Sequence, residues 1–364
     1  MRAGHEAVGG ESRRPHADRV GGRGVRTGPP QNRRPIPQGL SQRRLRHVQA
    51  GAERHGGALR MARGGSLPLM VRPALQFILL WTLALLLLGS VVHATESSLA
   101  CPDWPTCFGT MMPEMTGGVF WEHLHRLWAG ALVLFFLAAL IIVRRQLPGR
   151  TDIFRLGVAG LVLLVVQSVL GGLTVIYRLP DAISTSHLAL AFIFLGLVTV
   201  MLVRTGPAAH PASIAGDPAG GMVRRAGMWA ACLVFVQSVV GALVRHTDSG
   251  MACPDVPLCL GRVIPPLDHP MVQLHFLHRV LGLVLAVVVV TQAWLVITRS
   301  GDPVSRRLAA CLGAGVVCQV LLGFLSVAFR LGVPYVSAHT LLAATLLTLA
   351  VAMAARHPAA AVPA

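Results

Sequence analysis

Eight apolar stretches follow one another over residues 73–355. Each is about 20 residues long, which suffices to cross a hydrocarbon core about 30 Å thick as an α-helix. Lipid offers the backbone no hydrogen-bond partner, so a helix is the expected form of each stretch. The pattern predicts an all-α integral membrane protein with eight transmembrane helices. The predicted spans are 73–93, 121–143, 153–176, 183–204, 223–245, 271–297, 307–329 and 335–355.

A segment of different composition precedes the spans. Residues 1–68 are rich in Arg, Gly and Pro and have no apolar periodicity. Such a segment cannot bury enough surface to offset its ordering entropy, which predicts a disordered tail. A start of the coding sequence at Met61 or Met70 is the alternative. The segment lacks the charged head, apolar run and cleavage site of a signal peptide.

Composition supports the membrane assignment. Hydrophobic residues make up 54% of the 364 residues and charged residues 13%, against about 25% charged residues in soluble domains. The net charge of +17 suggests nucleic acid, but residues 1–72 hold 15 of the 32 arginines and only four acids. A basic segment before an apolar body is typical of membrane orientation, so we expect no nucleic-acid partner.

Arginines concentrate in alternate connections between the spans, which sets the expected topology. By the positive-inside rule both termini are cytoplasmic, and the two longest connections, 94–120 and 246–270, face outward. The arginines on the expected inner side are Arg144, Arg145 and Arg150 after the second span, Arg204, Arg224 and Arg225 after the fourth, Arg299, Arg306 and Arg307 after the sixth, and Arg356 after the eighth.

The two halves of the chain repeat each other. Residues 89–107 and 241–259 are identical at ten of 19 positions with an offset of 152. The tripeptide LHR at 124–126 returns at 277–279. Four spans in each half give both copies the same orientation, which predicts two pseudo-symmetric four-helix bundles related by an axis along the membrane normal. The predicted bundles are residues 73–205 and 223–356, joined by a cytoplasmic linker at 206–222.

Four histidines lie within spans at matched depths. His125 and His187 are near the outer ends of spans two and four, and His278 and His339 occupy the corresponding places in the second half. Ionisable residues inside a membrane are costly and are candidates for function. One pair in each bundle suits the two axial ligands of a haem iron. Zinc prefers more protein ligands, and an interfacial polar role is the structural alternative.

Other polar residues accompany these histidines. Arg126 and Arg279 directly follow two of them and are predicted to pair with haem propionates, with snorkelling to the interface as the alternative. Seven further histidines beyond the tail are interpreted as solvated or as supporting residues. They are His93, His123 and His275 near the spans, His246 and His269 in the outer connection, and His210 and His357 on the cytoplasmic side.

Glu122 is the one acid placed at a membrane span, and it has no acidic counterpart. It precedes His125 by three residues, so both lie on one helix face. The corresponding residue in the second half is His275. This difference predicts that one half performs chemistry and the other holds a structural or electron-transferring haem. An acid that only stabilises the start of a helix is the alternative.

Two pairs of cysteines share the form CPDxPxC in the outward connections. Cys101 pairs with Cys107 and Cys253 with Cys259 in the expected disulfides, because an outward loop of a bacterial protein is oxidising. A redox-active relay at the first pair is a further hypothesis. Three other cysteines are predicted to be buried as small apolar side chains. They are Cys232, Cys311 and Cys318.

Three motifs carry a family resemblance: SSLACPDWPTC, WEHLHRLWAG and SAHTLLA, within residues 73–356. Together with the duplicated histidines they resemble haem A synthase, in the bacterial form with cysteines in both outer loops. The resemblance implies oxidation of the C8 methyl group of haem O to a formyl group. The long basic tail and the second serine of Ser97–Ser98 depart from the family pattern.

The resemblance also assigns roles to residues. It implies that His125 and His187 flank the substrate haem and that His278 and His339 ligate the iron of haem B. Glu122 is then the catalytic carboxylate, and the Cys101–Cys107 pair is functionally important.

The resemblance further implies a bacterial inner-membrane location surrounded by lipid. Haem O synthase and an electron acceptor are candidate partners and a homo-oligomer a candidate assembly, and the sequence does not decide among these. The main alternative is a di-haem cytochrome b that only transfers electrons. It shares the four histidines but requires neither Glu122 nor the outer cysteines. A transporter built from parallel repeats would have broken spans and charges at the midplane, which the sequence lacks.

The arginine pattern generates a topology prediction. A reporter that is active only outside the cytoplasm should be silent when fused after Arg356 and active when inserted within 108–118. Enzyme activity of the two fusions in intact cells measures this. The opposite pattern would show that the helices are inserted the other way round.

Overall fold

The computed structural model describes residues 70–206 and 219–357. Within these ranges the regular structure is helical, apart from two isolated β-bridges in the loops. The predicted tail and residues 207–218 of the predicted linker lie outside the described residues. The helices are α1 Val71–Ala94, α2 Gly117–Gln146, α3 Thr151–Ile176, α4 Asp181–Arg204, α5 Gly220–His246, α6 Pro270–Arg299, α7 Pro303–Ala328 and α8 Val333–Arg356, with a 3₁₀ turn at Ser249–Met251.

All eight helices are long and apolar enough to cross a membrane, as the hydropathy pattern predicts. Their ends agree closely with the predicted spans, and the largest differences are the earlier starts of α2 at Gly117 and α7 at Pro303. In each helix only 17% to 33% of the most apolar window is buried inside the protein. The remaining apolar surface faces outward, as a lipid environment requires.

The two halves form similar rings of helices. In each half, consecutive helices pack against one another, and the first packs against the last: α1 on α4, and α5 on α8. Between the halves, α1 packs on α8, α4 on α5, and α4 on α8. The first two of these contacts correspond to each other under the repeat. This is the pattern that a two-fold relation between the halves predicts.

The repeat extends to the backbone conformation of the loops. Non-glycine residues adopt the left-handed region at corresponding positions, although L-residues disfavour it. Such residues persist only where the surrounding structure fixes them. The corresponding pairs are Glu96 and Asp248, Phe108 and Leu260, Arg178 and Arg330, and Leu179 and Leu331, all with φ between 50° and 60°.

Hydrogen bonds fasten the end of α8 to the start of α7. Asp302 caps α7 by accepting hydrogen bonds from the N–H groups of Val304 and Ser305, while Pro303 occupies the first turn. Arg356 of α8 donates to the same carboxylate over 3.0 Å. Burial alone would raise the pKa of Asp302, but the hydrogen bonds from Ser305 and Arg356 lower it to about 2.

The structure corrects two sequence interpretations. Cys232, Cys311 and Cys318 are exposed on the sides of their helices instead of buried. An apolar span does not reveal which face meets lipid, and a small thiol is tolerated on either face. His246 is the last residue of α5, not part of the outer loop, because the helix continues one residue past the predicted end of the span.

Candidate functional site

The four candidate histidines occupy equivalent positions along their helices. His125 and His278 are the ninth residues of α2 and α6, and His187 and His339 are the seventh residues of α4 and α8. At about 1.5 Å of rise per residue, each lies roughly 9–12 Å from the start of its helix. His125 interacts electrostatically with His187, and His278 with His339. The histidines thus interact in the pairs expected from the sequence, and their role as haem ligands stays a prediction.

A glycine on a neighbouring helix faces each of these imidazoles. A Cβ atom added to any of the four glycines would come within about 3 Å of the ring, closer than ordinary van der Waals contact. Glycine is thus required to leave room for the ring. The distances from the added Cβ to the imidazole Cε1 are 3.0 Å for Gly89 and His125, 3.1 Å for Gly171 and His187, 2.9 Å for Gly241 and His278, and 3.2 Å for Gly323 and His339.

The four rings keep one nitrogen available. Within the described ranges, no Nε2 atom of these histidines takes part in a hydrogen bond. The Nδ1 atoms of His125, His187 and His339 are buried without a partner, whereas Nδ1 of His278 lies 3.0 Å from Nε2 of Gln237. Each half thus holds two imidazoles with unoccupied Nε2 atoms, each packed against a glycine, and this donor set fits the axial ligands of a haem.

Glu122 is buried and held in place by two hydrogen bonds. Its side chain accepts one from the N–H group of Cys101 over 2.8 Å and one from Arg126 over 2.5 Å. It is the one buried acid in the part of the chain that the structure describes. The carboxylate is therefore fixed between α2 and the loop before it, one helical turn from His125. This loop and its counterpart before α6 are called the outer loops, after the side of the membrane on which we expect them.

His275 occupies the same place in the second half. The N–H group of Cys253 lies 3.3 Å from its Nδ1 atom, and Nε of Arg279 lies 3.2 Å from its Nε2 atom. A neutral imidazole accepts at only one of its nitrogens, so only one of these contacts is a hydrogen bond at a time. The structure supports the correspondence of Glu122 and His275, with an imidazole in place of a carboxylate.

Arg126 and Arg279 bind the outer loops. The guanidinium of Arg126 donates to the carbonyl oxygens of Asp103 and Thr106 over 2.7 and 2.6 Å, and to Cys101 over 3.3 Å. Arg279 makes the corresponding bonds to the carbonyls of Asp255, Leu258 and Cys253 over 2.8, 2.8 and 2.5 Å. Their pairing with propionates stays a prediction, since these donors already hold the loops against the helices.

Both predicted disulfides are present in the outer loops. Cys101 is bonded to Cys107, and Cys253 to Cys259. In the first loop the Asp103 carboxylate accepts hydrogen bonds from Thr106 and from the N–H groups of Gly109 and Phe108, and these bonds lower its pKa. Each loop is thus closed by a disulfide and held inward by an arginine.

Three histidines interpreted from the sequence as solvated or supporting are buried. They are His123, His275 and His357, at 2% to 4% exposure. A nitrogen of His123 lies within 4.8 Å of both sulfurs of the first disulfide, and the corresponding residue of the second half is Phe276. His357 contacts the Ser305 hydroxyl over 2.9 Å. His210 lies outside the described residues.

A further polar cluster joins the two halves near the outer loops. His93 lies 3.1 Å from His246, measured from Nε2 to Nδ1, and Arg245 donates from Nε to Nδ1 of His93 over 3.2 Å. The sequence interpretation of His93 and His246 as solvated or supporting residues gave no hint of this contact. The one sequence signal for this contact was the repeat itself, because the offset of 152 makes His93 and Arg245 equivalent positions.

We expect the glycine opposite His278 to be essential for the geometry of that site. Gly241→Ala places a methyl group 2.9 Å from the His278 ring, and overpacking of this kind costs about 1–3 kcal/mol. Haem content per purified protein should fall, and the absorption bands should broaden. Gly130→Ala is the matched control, because nothing lies within 4 Å of a Cβ there. Equal haem content in both variants would show that the glycine is not needed.

Comparison with known proteins places these features in one family. The model of the cytochrome oxidase assembly protein family matches residues 114–351. The chain is 35% identical over 264 residues to "Heme A synthase" of Symbiobacterium thermophilum, covering 69% of this chain and 85% of that protein. It is 31% identical over 215 residues to "Heme A synthase" of Halalkalibacterium halodurans, covering 57% and 70%.

One similar protein has a different name. The chain is 28% identical over 277 residues to "Protoheme IX farnesyltransferase" of Thermus thermophilus. The match covers 73% of this chain but only 45% of that protein. More than half of that relative therefore has no counterpart here.

Proposed function

The chain belongs to the haem A synthase family within the cytochrome oxidase assembly proteins, and we propose that it oxidises the C8 methyl group of haem O to the formyl group of haem A. The observation that carries the proposal is the difference between the halves. Both retain two paired imidazoles faced by glycines, but only the first places a buried carboxylate beside them. A protein that merely transfers electrons between two equivalent haems does not require that carboxylate.

In this proposal the first half binds the substrate. His125 and His187 hold haem O between α2 and α4, with Gly89 and Gly171 leaving space for the imidazoles. Glu122 lies one turn from His125 on the same face of α2. Its two hydrogen bonds orient the carboxylate, which is suited to accept protons that leave the substrate when a methyl group is oxidised.

The second half holds haem B through His278 and His339. A bound haem supplies an iron centre that exchanges electrons with the substrate site. The chain contributes the ligands and the contact of Gln237 with His278, which has no equivalent in the first half because Leu85 stands at that position. A ring that binds iron through Nε2 carries its proton on Nδ1, so Gln237 would turn its otherwise unpartnered amide oxygen toward that N–H group, which would orient the ring and tune the metal.

The location and partners follow from the same family. The chain is a multi-pass membrane protein, and we place both termini in the cytoplasm of a bacterium by the arginine pattern. The similarity to a farnesyltransferase suits a partnership with haem O synthase, whose product is the substrate here. An electron acceptor and a homo-oligomer remain expectations from the resemblance.

Glu122→Gln tests the catalytic assignment. The amide is nearly isosteric but cannot accept a proton as a carboxylate does, so haem A formation should fall at least about 100-fold, the usual contribution of general acid–base catalysis. Haem B content should stay close to wild type. Chromatography of haems extracted from membranes that also contain haem O synthase measures both quantities.

Two variants serve as controls for this experiment. Glu114→Gln removes an exposed acid of the same outer loop and should leave haem A unchanged. His278→Ala should lose haem B, because one of its two iron ligands is gone. A wild-type amount of haem A from the Glu122→Gln variant would show that Glu122 anchors the loop and does not act in catalysis.

A further inference from the structure

Three side chains form a cluster at the seam between the halves. The seam cluster consists of His93 near the end of α1 and of Arg245 and His246 at the end of α5. All three are half-buried. Two hydrogen bonds, of 3.1 and 3.2 Å, connect them across the seam. Ionisable groups at this depth are costly unless they have a function or partners.

The cluster lies one helical turn from the glycines of both candidate haem sites. His93 follows Gly89 by four residues on α1, and Arg245 follows Gly241 by four residues on α5, so each pair shares a helix face. Gly89 faces His125, and Gly241 faces His278. Arg245 is therefore one turn closer to the outer loops than the second site, and His93 bears the same relation to the first.

The proton positions in the cluster follow from its donors. An arginine Nε always donates, so Nδ1 of His93 is an acceptor and its proton resides on Nε2. That proton is donated to Nδ1 of His246, which leaves the His246 proton on Nε2. The cluster therefore presents donors at both ends: the terminal N–H groups of Arg245 and the Nε2–H group of His246.

No carboxylate of the described residues forms an ion pair with Arg245. Glu96 and Asp248 interact with it electrostatically but are exposed. The other arginines near the histidines, Arg126 and Arg279, donate to loop carbonyls. The terminal N–H groups of Arg245 and the Nε2–H group of His246 are thus able to donate hydrogen bonds to an anion.

We propose that the seam cluster binds haem propionates: Arg245 a carboxylate of haem B in the second half, and His246 one of the substrate haem in the first. This inference rests on the proposed function. An arginine fork matches a carboxylate, and hydrogen bonds between charged groups are stronger than neutral ones. His246 contacts His93, which lies one turn from Gly89, the glycine that faces His125, so His246 is on the side of the first site. Because His93 links the two donors, the cluster connects the propionate ends of both haems.

The test removes the charge of the haem propionates and the charge of Arg245 in separate experiments. The full chain is purified from haem-deficient cells and titrated with haem B and with haem B dimethyl ester, in which both propionates are esterified. Wild type should bind the free acid more tightly than the ester. Arg245→Gln should reduce that preference about tenfold or more, as expected for one charge-assisted pair. Arg262→Ala, which removes an exposed arginine of the second outer loop, should preserve it.

Two more measurements distinguish a wrong propionate assignment from a wrong haem site. Arg245→Lys keeps the charge without the fork and should show an intermediate preference, even if the Gln variant folds poorly. The midpoint potential of haem B should fall in Arg245→Gln, because a nearby positive charge favours the reduced iron. An unchanged preference and potential in the Arg245 variants would overturn the propionate assignment. Wild-type haem B affinity in His278→Ala would instead overturn the proposed haem site itself.

Discussion

The structure depends on one constraint: a polar group inside a lipid-embedded bundle needs both a partner and space. The four histidines meet the second requirement through a facing glycine on the next helix. The first requirement is met by Glu122, Arg126 and Arg279, which bind the outer loops, whereas Nδ1 of His125, His187 and His339 is buried without a hydrogen-bond partner. The polar groups of the candidate site therefore lie near the outer loops, and a separate group, Asp302 with Arg356, lies at the opposite end of the helices.

The repeat keeps one frame in both halves, while the side chains next to the candidate ligands differ. The contact between a glycine and an imidazole lies within one copy, so residues around it can change without loss of the frame. The first copy has Glu122 and His123 beside its disulfide, and the second has His275 and Phe276. The substitutions alter the charge next to the candidate ligands while the loop, the arginine and the disulfide stay the same. The asymmetry therefore resides in side chains and not in the fold.

Much of this was predictable from the sequence, because the signals were local or repeated. Apolar length gave the spans, the offset of 152 gave the duplication, and the CPDxPxC motif gave both disulfides. Helix rotation was not predictable, so the exposure of Cys232 and the burial of His123 were missed. The hydrogen bonds of Arg126 to the loop were also missed. The pattern of apolar and polar residues does not show that a loop folds back over the helix that follows it.

Cys101 shows how closely the loop and the candidate catalytic group are connected. Its sulfur closes the loop, its N–H group binds Glu122, and its carbonyl oxygen accepts a hydrogen bond from Arg126. Arg126 in turn binds Glu122 and directly follows His125. The orientation of the carboxylate is therefore determined jointly by the disulfide-closed loop and by the helix that carries the imidazole. In the second half Cys253 and Arg279 both contact His275, which accepts at only one nitrogen at a time and carries no fixed negative charge.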